Sequence, residues 1–187
     1  LFGEPLLAVD PHTGERKWHY QLVHHGIWDH DIPAAPILLD INVDGRQIKA
    51  VAQPTKQAFL YVFDRVTGEP VWPIEERAVE AGDVPGGGYS PTQPFPTKPP
   101  AYDRQGVTED DLIDFSPELR QQSLEVASWY KMGPIFTPPS LVSDESDGNQ
   151  GTLALPGSWG SGNWNTGAFD PETGFYYAFS HVVPRVY

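Results

Sequence analysis

A hairpin turn motif recurs three times at near-constant spacing in a chain rich in proline, glycine and aromatic residues. Together these features predict an all-β protein, a partial β-propeller of about three to four blades with a short helical insertion. The 187 residues include 20 prolines, 18 glycines and 6 tryptophans. Proline removes backbone donors and glycine lacks helix propensity, so both oppose long helices, while the aromatics give short strands something to bury.

The motif reads strand, D-x-x-T-G turn, strand. It occurs at Asp10-Pro11-His12-Thr13-Gly14, Asp64-Arg65-Val66-Thr67-Gly68 and Asp170-Pro171-Glu172-Thr173-Gly174, each followed by aromatic residues. An Asp at the first position accepts hydrogen bonds from amides two residues on, and the Gly supplies the positive φ that closes the turn. Asp10 and Asp64 are 54 residues apart, and Asp64 and Asp170 are 106 apart, twice 53. The period is therefore near 53, with one copy hidden. Hairpin repeats of about 40 to 50 residues are propeller blades, four-stranded sheets that need neighbours to cover their faces. So few blades would leave open faces, and we expect the chain to be part of a longer propeller domain.

Along the chain, Trp18–Val23 reads as a strand leading into the cluster His24-His25-Gly26-Ile27-Trp28-Asp29-His30-Asp31. Val51–Gln57 reads as a turn feeding the apolar strand Phe59–Phe63. Residues 1–76 thus hold blades, residues 77–150 a long loop with a helical insertion, and residues 151–187 a further blade. Residues 84–100 are Pro/Gly-rich and predict an extended loop anchored by Tyr89 and Phe95. Thr108, followed by Glu109, Asp110 and Asp111, predicts a helix start, and Ser116 with Pro117 predicts a capped helix running to about Lys131. Residues 143–150 form an acidic loop, and strand structure resumes near Thr152–Leu155.

Composition excludes several classes. With 12 Lys and Arg against 25 Asp and Glu, the net charge is -13, and no basic cluster exists to displace phosphate counterions. Nucleic acid is therefore not a partner. Cysteine is absent, which excludes disulfides, thiolate catalysis and thiolate metal sites here. No apolar run is long enough to span a bilayer, and the first residues carry neither an initiator Met nor a signal-like h-region. We expect any signal or membrane anchor to lie outside these residues.

Three places could carry chemistry. The first is the cluster with His24, His25, Trp28, Asp29 and Asp31; its bland alternative is a solvated loop with a packed Trp. The histidine spacing fits no common zinc motif. The second is Lys56, behind Pro54 at the mouth of a strand, which either points an ammonium at an anionic oxygen or is surface charge. The third is Gly157–Asn165, where glycines would let backbone approach a planar ligand and Trp159 and Trp164 could pack on it. Its alternative is ordinary packing between blades.

Six stretches in order resemble one family. They are HHGIWDHDIPAAP (24–36), AQPTKQAFLYVFDRVTGEPVWPIEE (52–76), SPTQPFPTKPP (90–100), GVTEDDLIDFSPELR (106–120), GPIFTPPS (133–140) and LPGSWGSGNWNTGAFDPETG (155–174). The chain is similar to the glucose, quinate and polyol dehydrogenase branch of the enzymes that use pyrroloquinoline quinone (PQQ). The resemblance implies an eight-bladed propeller with PQQ near its axis and a divalent cation, calcium or magnesium, polarising the reactive carbonyl. It implies Asp29 as catalytic base, with Lys56 on the quinone oxygens and Asn163 and Trp164 among the cofactor contacts. His24, His25, Trp28 and Asp31 would lie near the substrate or support the base. The metal ligands are not assigned, and most are expected outside this chain, so these residues alone would not make a competent holoenzyme. The resemblance further implies a sugar, polyol or alcohol substrate, membrane ubiquinone as electron acceptor, and a periplasmic, membrane-anchored parent. Two positions depart from the family pattern: Gly26 stands where an aspartate is expected, and Ala58 where many relatives have glycine.

Two other readings fit the residues. One is a propeller that serves as a binding scaffold without redox chemistry, since fold does not fix function. Alternatively, Asp29 and Asp31, on one face of a strand, could flank a sugar cleft as in a glycoside hydrolase.

Overall fold

A computed structural model describes residues 3–146 and 148–187; Asp147, in the acidic loop, lies outside the described residues. Among the described residues, eleven strands form one three-stranded and four two-stranded sheets, all antiparallel. The strands are β1 (Pro5–Val9), β2 (Arg16–Gln21), β3 (Ile37–Val43), β4 (Arg46–Pro54), β5 (Leu60–Asp64), β6 (Ile74–Ala78) and β7 (Thr92–Pro96). After a 3-10 turn (Glu109–Asp111) and helix α1 (Pro117–Ala127) come β8 (Leu153–Ala154), β9 (Gly167–Phe169), β10 (Tyr176–Ala178) and β11 (Arg185–Val186).

The three D-x-x-T-G turns take one geometry. The Gly14, Gly68 and Gly174 amides each donate to the carbonyl of the opening Asp at 2.8 Å, with φ of 74°, 80° and 75° at the glycines. Asp10 and Asp64 accept two further amides each through Oδ1. Asp170 accepts the Glu172 amide and the Thr173 hydroxyl. These bonds hold the Asp10 and Asp170 carboxyls below the usual carboxylate range.

Strand alternation builds two apolar layers, one on each side of β3-β4-β5. Phe59, Tyr61, Phe63 and Val51 join Leu22, Val23 and Trp28 on one side, while Leu60, Val62, Ala50, Ala52 and Leu39 form the other. The three-stranded sheet falls short of the four strands expected of a blade. Its fourth arm is reduced to a bridge from Phe63 to Pro70 and a Val71 amide on the Val62 carbonyl, because Pro70 and Pro73 have no N–H to continue the ladder.

The middle of the chain departs from expectation in three places. Residues 84–100 contain a strand, β7, paired with β6, and Phe95 anchors it against Phe59 and Phe136 with ring centroids at 5.5 Å. Tyr89 packs within its own loop, where its hydroxyl accepts from the Val84 amide. The Thr108 start yields only a 3-10 turn, closed by the Thr108 amide and hydroxyl on the Asp111 carboxylate. Helix α1 begins as predicted, with the Ser116 hydroxyl accepting from the Leu119 amide at 3.3 Å, but it ends at Ala127, short of Lys131. Beyond it Trp129, Lys131 and Gly151 exchange backbone bonds with the returning chain, which satisfies carbonyls and amides that a longer helix would have used.

Candidate functional site

The site is built around the turn Thr55-Lys56-Gln57-Ala58, all four residues buried. The Thr55 amide donates to Phe59 O at 3.0 Å and the Ala58 amide to Thr55 O at 3.1 Å. Each carbonyl of the turn is also claimed by another segment. Tyr102 Oη donates to Thr55 O, the Ser161 amide to Lys56 O, Gln105 Nε2 to Gln57 O and the Tyr102 amide to Ala58 O. A turn this fully bonded cannot swing without breaking several buried hydrogen bonds, so it fixes where Lys56 points. Ala58 adopts φ 67°, the left-handed region that glycine occupies without strain.

Lys56 is 6% exposed, and its ammonium reaches into the His24–Asp31 loop. Nζ donates to the Asp29 carbonyl at 2.8 Å and to Asp31 Oδ1, and lies 3.9 Å from Asp29 Oδ1. An ammonium has three N–H donors, so one remains for a further acceptor. Asp29 has φ 56°, a left-handed conformation that Asp tolerates better than most residues. That turn aims its carbonyl inward at Lys56 and leaves its carboxylate 69% exposed. The segment is a loop, so the expected strand geometry for Asp29 and Asp31 does not hold; the two carboxylates instead converge on one cation.

The other candidates are placed elsewhere. The His24 ring meets Glu76 Oε1 at 2.9 Å, and its backbone is clamped by Gln93, so it faces β6. The His25 ring lies against Gly88. Trp28 is buried in the core, edge-on to Phe136, with Nε1 donating to Thr137 O at 2.8 Å; it anchors the loop that carries Asp29. Asn163 donates to Trp159 O, and Trp164 is 81% exposed. In that glycine stretch the close approach is by Gly160, at φ 72°, onto the stem of Lys56, so the loop buttresses the lysine. Trp159 lies under the Arg185 guanidinium at 5.4 Å.

Sequence reasoning assigned no role to three polar groups around Lys56. His30 is 2% exposed; its Nε2 faces the Gly157 carbonyl at 3.3 Å, which puts the ring proton on Nε2 and leaves Nδ1 without a partner. Burial holds its pKa down at about 4, so it is neutral. Gln57 donates to the His30 carbonyl, and its Oε1 is unpartnered. Glu4 stands over Gly26, and its pKa is pushed up to about 7, by burial first and the Asp31 charge second. His30 was legible as the residue between two candidate aspartates, whereas Glu4 is 22 positions from Gly26 and gave no local signal.

The repeated hairpins and small antiparallel sheets define a portion of a β-propeller. The chain belongs to the PQQ-dependent dehydrogenase family: residues 1–187 match the model described as the glucose/ethanol/alcohol dehydrogenase β-propeller domain. It is 36% identical to the quinoprotein glucose dehydrogenase of Escherichia coli and 34% identical to the quinate/shikimate dehydrogenase (quinone) of Acinetobacter baylyi, in each case over 91% of this chain and 20% of the relative. It is 32% identical to the glycerol dehydrogenase large subunit of Gluconobacter thailandicus, over 96% of this chain and 24% of that subunit. The quinohemoprotein alcohol dehydrogenase of Comamonas testosteroni has the same fold over 98% of this chain and 20% of its own, with a TM-score of 0.56 at 23% identity. The chain thus spans about a fifth of the length of its relatives.

Proposed function

We propose that this chain carries the proton-accepting part of a PQQ-dependent dehydrogenase site that oxidises a sugar, polyol or alcohol. The observation that supports it most is the exposed Asp29 carboxylate beside the buried Lys56 ammonium, 3.9 Å apart on a rigid turn. PQQ, when bound, supplies the acceptor for the hydride leaving the substrate carbon. Asp29 takes the hydroxyl proton as that hydride departs, so the substrate loses one proton and one hydride and its alcohol carbon becomes a carbonyl. The remaining N–H of Lys56 suits a quinone oxygen on which negative charge grows. Among the described residues, no group of three or more His, Asp or Glu side chains is arranged to hold a metal ion.

The same reading gives a periplasmic setting with membrane ubiquinone as electron acceptor, supported by a relative named for quinone. No helix among the described residues is long and apolar enough to cross a membrane. The test uses the full-length protein, reconstituted with PQQ and calcium or magnesium and assayed by dye-linked oxidation of a panel of sugars, polyols and alcohols. Asp29→Asn keeps the left-handed turn and removes the base, and it should lower kcat by about 10² to 10⁴. Full activity in that variant, or no substrate in the panel, would overturn the reading.

A further inference from the structure

The Asp29 carboxylate is 69% exposed and lies 3.9 Å from Lys56 Nζ, beyond hydrogen-bond reach, so its position is set by the backbone that carries it. That backbone is held on both sides of the residue. Before it, Trp28 is buried in the core, and its carbonyl accepts the Tyr187 hydroxyl at 2.8 Å. After it, His30 is 2% exposed and is gripped twice: its carbonyl accepts Gln57 Nε2 at 3.1 Å, and its ring Nε2 donates to the Gly157 carbonyl at 3.3 Å. Both grips lead to Lys56. Gln57 is the next residue in the turn, and Gly157 begins the loop whose Ser161 amide donates to Lys56 O at 2.8 Å and whose Gly160 lies against the lysine stem. The loop is itself braced, with the Gly160 amide on Gly157 O at 2.8 Å and the Gly157 amide on Val183 O at 3.1 Å. Packing alone does not account for a histidine at this place. Its Nδ1 makes no hydrogen bond among the described residues, and burying an unpaired ring nitrogen costs free energy that an apolar side chain of similar size would not.

Resting on the Asp29 reading, we propose that His30 is a positioning residue for the base: the N–H of its ring on Gly157 O ties the backbone of Asp29 to the loop that buttresses Lys56, and so holds the carboxylate in register with the ammonium. The ring reaches no reacting atom and transfers no proton. It acts through the peptide it shares with Asp29, whose left-handed φ of 56° makes the direction of the carboxylate depend on how the next residue is anchored. The ring has a single polar tie, so the inference turns on one nitrogen. An amide N–H placed where Nε2 stands preserves the tie, and one placed where Nδ1 stands does not.

The experiment uses the full-length protein with three substitutions, His30→Gln, His30→Asn and His30→Leu, and two readouts. The first is steady-state kinetics after reconstitution with PQQ and calcium. The Gln side chain can set its N–H at the place of Nε2, whereas Asn reaches only the place of Nδ1 and Leu has no donor. His30→Gln should therefore keep kcat within about threefold, while His30→Asn and His30→Leu should lower it roughly 10- to 100-fold with KM changed less than about twofold. A ring that only filled the core would give the opposite order, with Leu tolerated best. The second readout is amide hydrogen exchange in residues 24–36 of the same protein without PQQ, which should speed up in the Asn and Leu variants and not in Gln. Wild-type kcat in His30→Leu, or equal losses in Gln and Asn, would overturn the inference, and the Gln–Asn contrast decides by itself if the Leu variant does not fold. Full activity in Asp29→Asn would overturn the base, while the exchange contrast among the His30 variants would stand. With the base in place, adding His30→Leu to Asp29→Asn should cost less than about a further twofold, because no base is left to position. A further loss as large as in the parent would overturn the role of His30 and leave Asp29 as base.

Discussion

Two buried or half-buried groups beside Lys56 are held in neutral form for the same reason, burial, and their effects on stability have opposite signs. The pKa of His30 falls to about 4 in the folded chain, below its ordinary value of 6.5, so its contribution is fully present above pH 6.5 and is lost as pH falls through 4. The pKa of Glu4 rises from 4.5 to about 7, so its contribution is present below 4.5 and is lost as pH rises through 7. Over the shared window the two offset one another, and the wild-type stability should depend only weakly on pH. Removing one exposes the other. Glu4→Gln should lose about 2 kcal/mol between pH 7 and pH 5 in urea unfolding, the His30 effect alone. His30→Gln should instead gain stability over the same interval. Parallel pH dependences in the two variants would show that neither group is neutral in the fold. At this scale Gly26 also has its explanation: the carboxyl of Glu4 fills the space a side chain there would take.

The repeated turn shows what an element owes to itself and what it owes to its neighbours. Gly14 and Gly68 have the same role in their turns and nearly the same φ, 74° and 80°. A Cβ at Gly14 would meet open space, whereas at Gly68 it would strike the indole of Trp18, whose Nε1 donates to Arg65 O at 3.1 Å. Gly14→Ala should therefore cost only the left-handed strain, about 1 to 2 kcal/mol. Gly68→Ala should cost about 1 to 3 kcal/mol more, because it also separates two successive repeats. Equal losses in denaturant unfolding would mean that the Trp18 contact contributes nothing. In α1, Ser116→Ala should remove the cap from the Leu119 amide at a cost of about 1 kcal/mol, read as faster amide exchange in the first turn.

Across the whole molecule, the two layers that flank β3-β4-β5 bury Phe63 and Tyr61 completely, yet large apolar side chains stay exposed at the margins. Leu38 is 65% exposed, Phe175 63% and Tyr177 58%, and they lie on strands or turns of the outer hairpins. Sheets of this kind need a neighbour on each face, as propeller blades have. These 187 residues expressed by themselves should bind a hydrophobic dye and elute from a sizing column above the monomer position. A dye-silent monomer would show that the outer faces need no cover.

What was legible in the sequence was local or periodic. The Asp-to-Gly turns, the alternation in Phe59–Phe63, the Ser116-Pro117 cap and the spacing near 53 residues all depend on interactions within a few positions or on a repeat, so they could be read directly. Asp29 and Lys56 were singled out one at a time. Only the tertiary structure decided that they meet, that Asp31 joins them while His24 turns to Glu76, and that Glu4 and His30 complete the surroundings. It also decided that residues 92–96 form a strand and that α1 stops at Ala127, because both depend on partners distant in sequence. The physical reason is common to all of these. A hydrogen bond within a turn is fixed by the residues that make the turn, but the direction of Lys56 and the charge state of Glu4 are set by burial and by groups some 20 to 50 or more positions away.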